Sequence, residues 1–273
     1  MSKTPLVKID NLYLKREDLN LTGSAKDRAI VFQIENLKKQ GFNQAVISST
    51  GNAAISAAYF CQKANIKLTV FLSPDVNLHK LEIIKKYFPE IIFSKTAISD
   101  AIKFSKTNHT YLLRQSTDLT ALDGYQQIGR EILEQLPQVT SIFVPVGSGT
   151  TLLGISQSLP SNIKIFAAQP AANCPISKFF DSKYIPESEN ITDAITVKAV
   201  PLKDDLIKAI KNSQGNAFTL QNQEIIDASN KLKLNKIETS LEGALALAAF
   251  YKAKNQKIDF GNYPVIILTG CQR

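Results

Sequence analysis

Short apolar segments alternate with longer helical segments along the first 170 residues, and this alternation most constrains the fold. Apolar runs bounded by turn residues predict buried strands, and apolar residues three or four apart predict helices packed on them. Alternating strands and helices indicate an α/β fold on mostly parallel sheets. The predicted strands are residues 12–16, 45–48, 67–72, 91–93, 111–113, 141–146, 163–168 and 265–268. The predicted helices are residues 24–39, 53–64, 78–87, 99–106, 125–136, 152–157, 203–211, 222–232 and 241–253.

Composition and charge argue against several classes of protein. Of 273 residues, 44% are hydrophobic and 21% charged, as in soluble globular proteins, and no apolar run could span a membrane. The net charge of +8 would suit nucleic acid, but lysines and acidic residues are interspersed without a nucleic-acid-binding motif. The start of the chain lacks the apolar core of a signal peptide. Cys61, Cys174 and Cys271 lack metal-ligand spacing, so we expect reduced thiols, no metal site and a cytoplasmic location.

Lys26 lies in the segment Gly23-Ser24-Ala25-Lys26-Asp27-Arg28, where a helix is predicted to begin. Ser24 and Asp27 have the spacing of a capping box, which would put Lys26 in the first turn. At that end the helix dipole disfavours a cation by about 0.3–1 kcal/mol. A neutral lysine amine is a nucleophile that forms Schiff bases with aldehydes. The hexapeptide alone also fits a capped surface helix with a solvated lysine.

A glycine-rich segment follows the apolar strand that ends at Val146. Ligands of parallel sheets bind beyond the carboxyl ends of strands, and N–H groups at a helix start converge on anions. Gly147-Ser148-Gly149-Thr150-Thr151 has neither the lysine of a Walker loop nor the third glycine of a dinucleotide fingerprint. The segment therefore predicts a phosphate-binding loop of another kind, and a tight strand–helix turn is the alternative.

Two other predicted strands end in polar residues. Ser48-Ser49-Thr50-Gly51-Asn52 precedes an alanine-rich helix, and its hydroxyl and N–H groups suit a carboxylate. Asn52 could also donate its amide to a ligand oxygen, although Ser, Thr and Asn are ordinary helix N-caps as well. The last strand ends in Leu268-Thr269-Gly270, which offers one hydroxyl and no charge.

These segments, taken in order, resemble the fold type II pyridoxal-phosphate enzymes, which include threonine synthases, threonine and serine ammonia-lyases and cysteine synthases. The resemblance runs from Lys15 to Arg28 and continues through the Ser-Thr-Gly-Asn loop, the glycine-rich segment and the final Thr-Gly. The segments that look most like threonine synthases are Gln169, Cys174-Pro175-Ile176, Thr192-Asp193-Ala194-Ile195, Glu242-Gly243-Ala244 and Thr269-Gly270.

The resemblance covers nearly the whole chain and implies a two-lobed α/β fold, each lobe a mostly parallel sheet flanked by helices. Residues 1–43 and 126–273 would form a large cofactor-binding lobe, and residues 44–125 a small substrate-side lobe. The implied cofactor is pyridoxal 5'-phosphate, and the implied partner is a small amino-acid substrate rather than nucleic acid or membrane. The family is usually dimeric, which implies a homodimer.

The resemblance also implies a role for each candidate residue. Lys26 would form the Schiff base with the cofactor and move the α-proton of the substrate. The cofactor phosphate would be held by Gly147, Ser148, Gly149, Thr150 and Thr151, its ring hydroxyl by Asn52 and its pyridine nitrogen by Thr269. The substrate carboxylate would be held by Ser49, Thr50 and Gly51. A hydroxyl at the pyridine nitrogen leaves the ring largely unprotonated, which suits elimination and replacement rather than transamination.

The implied activity is that of a carbon–oxygen lyase similar to threonine synthase, which converts O-phosphohomoserine to threonine and phosphate. Threonine synthases carry basic residues where Ala121-Leu122-Asp123-Gly124-Tyr125-Gln126 stands here. Each charge-assisted hydrogen bond lost from a phosphate is worth about 1.5–3 kcal/mol, and Arg114 or Arg130 could replace the missing cations. The alternatives are a threonine or serine ammonia-lyase, another β-replacement enzyme, and a non-catalytic protein that binds a phosphorylated ligand.

Overall fold

The computed structural model describes residues 1–192, 195, 197 and 200–273. Its strands are β1 Leu6–Ile9, β2 Leu12–Lys15, β3 Gln44–Ser48, β4 Lys67–Leu72, β5 Glu90–Phe93, β6 Tyr111–Leu112, β7 Ser141–Pro145, β8 Lys164–Pro170, β9 Asn216–Leu220 and β10 Pro264–Ile267. Its α-helices are α1 Lys26–Lys39, α2 Asn52–Lys63, α3 Leu78–Lys85, α4 Ala97–Thr107, α5 Thr120–Gln135, α6 Thr150–Gln157, α7 Lys203–Asn212, α8 Asn222–Leu234 and α9 Leu241–Asn255. The predicted α/β class, with helices flanking mostly parallel sheets, is confirmed.

The chain forms two compact units, one of residues 1–25 and 125–272 and the other of residues 26–124 with Arg273. The structure thus groups α1 with the sheet of the second unit. The lobe boundaries at residues 43/44 and 125/126, with a cofactor-binding and a substrate-side lobe, stay a prediction. Within the described residues, no helix combines the length and the apolar character needed to cross a bilayer.

The first unit is built on a six-stranded sheet in the order β1-β2-β10-β7-β8-β9. Among the strands described, the edge pair β1–β2 is antiparallel, and the other neighbours in this sheet are parallel. The sheet is buried because α8 and α9 pack an apolar cluster on it, in which Phe143 and Phe166 stack with ring centroids 4.5 Å apart. β7 and β10 are parallel neighbours in this sheet, so the loops that follow them leave the same edge of the sheet side by side.

Two strands of this sheet were absent from the predicted set. β1 turns into β2 through Asp10, whose φ of 50° lies in the left-handed region that aspartate tolerates. β9 lies in the part of the chain where the alternation of strands and helices weakens. Its partner β8 buries it, through the pairs Phe166–Asn216 to Pro170–Leu220, so tertiary contacts decide its strand state.

The second unit is built on four parallel strands in the order β5-β4-β3-β6. One apolar cluster joins this sheet to α1 and α2, and it includes Ile30 and Ile34 of α1 and Ile55 of α2. The first residues of α5 also approach α1 closely. A Cβ on Gly124 would lie 2.2 Å from the carbonyl oxygen of Arg28, so only glycine fits at this crossing.

Candidate active site

α1 begins at Lys26, after the predicted start at Ser24, so Lys26 lies in the first turn as predicted, and its side chain is half-buried. Its Nζ donates a hydrogen bond to Oε1 of Gln115 at 3.1 Å. Gln115 is a buried residue in the loop after β6, at the carboxyl end of a parallel strand. Sequence reasoning missed Gln115, although its position after a strand was a usable signal.

A hydrogen-bonded network holds the loop of Gln115 against α1. Asp118 accepts from the Tyr111 hydroxyl at 2.7 Å and from Nε2 of Gln33, a residue of α1, at 2.8 Å. Asn36 of the same helix donates to the Tyr111 hydroxyl at 2.7 Å. Burial, together with the Asp118 carboxylate, raises the pKa of Tyr111 to about 12, so this phenol stays a neutral donor. The network therefore fixes the loop with respect to the helix that begins at Lys26.

The predicted capping box of Ser24 and Asp27 is wrong. Ser24 forms an isolated antiparallel β-bridge with Gly270, and its buried hydroxyl has no hydrogen-bond partner in the described part of the chain. The Ala25 N–H donates to the Thr269 carbonyl oxygen at 2.9 Å. Pairing with the residues after β10 thus takes the place of the cap, and it fixes the backbone up to the residue that precedes Lys26.

A buried ionic network anchors the strand that leads to this segment. Nζ of Lys15, which is fully buried, lies 2.6 Å from Oε2 of Glu131 and donates to the Thr4 carbonyl oxygen at 2.8 Å. It also donates to Oε1 of Gln135 at 2.9 Å. The Thr4 hydroxyl donates to Oε1 of Glu17 at 2.5 Å. These contacts tie the N-terminal segment, β2 and α5 together within the first unit.

The glycine-rich segment leads from β7 into α6, as predicted. Gly149 has a φ of +85°, and a Cβ there would lie 2.1 Å from Cδ1 of Leu206, so both backbone and packing require glycine. The Leu153 N–H donates to the Gly149 carbonyl oxygen, and among the described residues the N–H groups at the start of the helix before Leu153 have no acceptor. The first turn of α6, described throughout, has no acidic side chain, and the hydroxyls of Ser148 and Thr150 lie 3.1 Å apart. These groups fit a phosphate dianion.

Gln169 supports this loop from the neighbouring strand β8. Its Nε2 donates to the carbonyl oxygen of Val146, the residue before Gly147, at 3.0 Å. Its Oε1 accepts from the N–H groups of Ile176 and Ser177 at 2.8 and 2.9 Å. Two of the segments that look like threonine synthases therefore meet here. In a third such segment, Asp193 and Ala194 lie outside the described residues.

The Ser-Thr-Gly-Asn loop follows β3 and leads into α2 at Asn52. Gly51 has an ordinary φ of −126°, and a Cβ there would meet no described atom within 4 Å. Neither strain nor packing within the chain therefore explains this glycine, whereas a ligand close to the backbone would. The Ser49 hydroxyl accepts from the Gly51 N–H at 3.2 Å, and Oδ1 of Asn52 accepts from Nη1 of Arg273 at 2.6 Å.

Thr269 lies partly buried beyond the carboxyl end of β10. Gly270, the next residue, accepts from the Ser240 N–H and from the Thr239 hydroxyl, both at 2.8 Å. The buried hydroxyl oxygens of Ser24 and Ser240 beside it make no hydrogen bond to any described residue. Unsatisfied buried hydroxyls are costly, so their presence around Gly270 fits a polar ligand group at this strand end.

The predicted residues thus fall at strand ends or helix starts in both units. In the second unit these are Lys26 at the start of α1 and Ser49, Thr50, Gly51 and Asn52 between β3 and α2; in the first unit they are Gly147, Ser148, Gly149, Thr150 and Thr151 after β7, and Thr269 after β10. Their assignment to individual groups of cofactor and substrate stays a prediction.

A family model described as "Pyridoxal-phosphate dependent enzyme" matches residues 1–270. The chain belongs to this family. Its fold and its cofactor, pyridoxal 5'-phosphate, therefore follow from membership, as the resemblance implied. The glycine-rich helix start after β7 and the unsatisfied hydroxyls of Ser24 and Ser240 beside Gly270 fit the phosphate and ring ends of such a cofactor.

Relatives within the pyridoxal-phosphate family differ in the reaction that they catalyse. The threonine synthase of Methanosarcina acetivorans is 28% identical over 97% of this chain and 73% of its own length. A catabolic L-threonine dehydratase of Staphylococcus aureus is 26% identical over 93% of this chain and 79% of its own. The crystal structure of serine racemase from Dictyostelium discoideum has a TM-score of 0.87 at 25% identity, covering 100% of this chain and 93% of that chain.

Proposed function

We propose that this protein catalyses elimination and replacement on a small amino acid, with conversion of O-phosphohomoserine to threonine and phosphate as the leading reaction. The observation that carries the proposal is the similarity to a threonine synthase along 97% of the chain. A cytoplasmic homodimer acting on a small molecule is part of the same proposal. The lyase and racemase relatives support the shared chemistry, which begins with removal of the proton from Cα.

Pyridoxal phosphate, when bound, supplies an electron sink for the electron pair left by the broken Cα–H bond. In our proposal Nζ of Lys26 accepts that proton and returns it, and Gln115 orients the amine through its 3.1 Å hydrogen bond. The hydroxyl and N–H groups of residues 49–51 bind the substrate carboxylate. The loop of residues 147–151 binds the cofactor phosphate, Asn52 donates to the ring hydroxyl oxygen, and Thr269 faces the pyridine nitrogen.

The surroundings of the two arginines that could pair with a substrate phosphate support one of them for this role. Ala121 is fully buried in α5, where the threonine synthases carry a basic residue. Arg130 is exposed and donates to Oε1 of Gln126 at 2.9 Å. Arg114 is half-buried and directly precedes Gln115, the partner of Lys26. Its position supports Arg114 as the cation for the phosphate of O-phosphohomoserine.

Ammonia-lyase activity on threonine or serine is the second candidate. The neutral Ala121 favours it, because a substrate without a phosphate needs no cation at that position. The similarity to a threonine dehydratase over 93% of the chain also supports it. In that case Arg114 would have no substrate phosphate to bind.

Product analysis of the purified holoenzyme tests these alternatives. With O-phosphohomoserine we expect threonine and inorganic phosphate in equal amounts, and with L-serine or L-threonine little keto acid or ammonia. Keto acid and ammonia as the main products would instead establish the ammonia-lyase, and D-serine from L-serine would indicate a racemase. Full cofactor occupancy without turnover of any of these substrates would favour a non-catalytic binding protein.

Gly51→Ala is expected to impair ligand binding without destabilising the fold. The added methyl group meets no described atom within 4 Å and the φ of −126° suits alanine, so the unfolding midpoint should stay unchanged. Crowding of a bound ligand should raise the dissociation constant of cofactor or the KM of substrate about tenfold. Fluorescence titration with pyridoxal phosphate and steady-state kinetics measure the two quantities.

The matched control for this variant is Gly41→Ala. A Cβ on Gly41 also meets no described atom within 4 Å, but its φ of +79° makes alanine strained there. The control should therefore lower stability by about 1 kcal/mol and leave ligand binding unchanged. Wild-type affinity and KM in Gly51→Ala would contradict the ligand-contact role of this loop.

A further inference from the structure

Arg273 contacts the residue that the proposed function assigns to the cofactor ring. Nη1 of Arg273 donates to Oδ1 of Asn52 at 2.6 Å, and both residues belong to the second compact unit. Asn52 begins α2 directly after the Ser-Thr-Gly segment, and both side chains are half-buried. The contact joins residues 221 positions apart, so no local sequence motif announces it.

This hydrogen bond decides which way the Asn52 amide is oriented. An asparagine amide can rotate by half a turn and exchange its donor and acceptor at little cost. A guanidinium has donors and no acceptor, so only the amide oxygen can face Arg273. The charge on Arg273 makes the bond stronger than a neutral one. The Nδ2 group of Asn52 is therefore kept as the donor on the side away from Arg273.

We infer that Arg273 is a positioning residue that holds Asn52 so that Nδ2, and not Oδ1, is offered to the ring hydroxyl oxygen of the cofactor. The inference rests on the proposed role of Asn52. A donor stabilises this oxygen when it carries negative charge, and the guanidinium polarises the amide and strengthens the donor. Without Arg273 the amide can present its oxygen instead, and two acceptors would then face each other.

The test uses purified holoenzyme and the variants Arg273→Gln and Arg273→Lys. For Arg273→Gln we expect about tenfold weaker binding of pyridoxal phosphate, measured by fluorescence titration, because one charge-assisted hydrogen bond no longer orients the donor. The pH midpoint of the visible absorption band should rise by about one unit, since the anionic oxygen is stabilised less. Arg273→Lys, which still supplies only donors, should restore most of both properties.

Two controls separate this role from a general effect of charge or folding. Arg130→Gln removes an exposed arginine that donates to Gln126, and it should change neither affinity nor midpoint. In an Asn52→Ala background, Arg273→Gln should have little further effect, because Arg273 acts through Asn52. A wild-type protein with a normal visible band and an Arg273→Gln variant that matches it would overturn this inference alone. Equal losses with and without Asn52 would also overturn it, whereas a wild type without the band would overturn the proposed function and with it this inference.

Discussion

Lys26→Ala is expected to abolish both turnover and the visible absorption band of bound pyridoxal phosphate while the fold remains intact. The variant removes the amine that we assign to the aldehyde of the cofactor and to the α-proton of the substrate. A loss of at least about 10³-fold in kcat is expected for such a group. Alanine is the best helix former, and Lys26 is only half-buried at the start of α1, so stability should change little.

Lys26→Arg provides the matched control for charge and length. Arginine keeps the positive charge and can still donate to Gln115, but a guanidinium does not deprotonate in proteins and is no nucleophile. Both variants should therefore be colourless and inactive, while circular dichroism and the unfolding midpoint match the wild type. Retention of the visible band or of turnover in either variant would show that another residue performs this chemistry.

Glu131→Gln is expected to destabilise the first unit by about 3–5 kcal/mol, because it leaves the buried ammonium of Lys15 without its carboxylate. Lys15 is fully buried and Glu131 is 7% exposed, so water does not reach the ammonium to solvate it when the carboxylate is lost. Glutamine has nearly the same size, which limits the change to electrostatics. Urea unfolding at constant cofactor concentration measures the effect as a lower midpoint with an unchanged slope.

Glu134→Gln is the matched control on the same helix. Glu134 pairs with Lys3, and both side chains are exposed, so this ion pair is screened by water and its loss should hardly alter the midpoint. The double variant Lys15→Met/Glu131→Leu removes both buried charges, and it should recover much of the stability lost in Glu131→Gln. Equal midpoints for Glu131→Gln and Glu134→Gln would contradict the importance of the buried network.

Local patterns in the sequence were sufficient for most of the architecture. Apolar runs predicted β3, β4 and β7, and helical periodicity predicted α1 with Lys26 in its first turn. The transitions from strand to glycine-rich loop and from loop to helix were also read correctly after β3 and β7. These features depend on residues close together in the chain, so they can be predicted from a single sequence.

Features that depend on distant partners were missed or misread. Ser24 and Asp27 have the spacing of a capping box. Ser24 instead forms a β-bridge with Gly270, and its hydroxyl does not cap the helix. β9 becomes a strand through its partner β8, and Gln115 reaches Lys26 across 89 positions. The contact of Arg273 with Asn52 is of the same kind. Spacing along the chain carries no information on such pairs.

The sequence by itself determined the α/β class, the lysine at a helix start and the resemblance that led to a pyridoxal-phosphate enzyme. The tertiary structure decided which groups surround these residues: Gln115 at the amine of Lys26, Arg273 at the amide of Asn52, and Glu131 at the buried ammonium of Lys15. The physical reason is that strand and helix formation follow local periodicity, whereas a hydrogen bond or a buried ion pair depends on distances that only the folded chain sets.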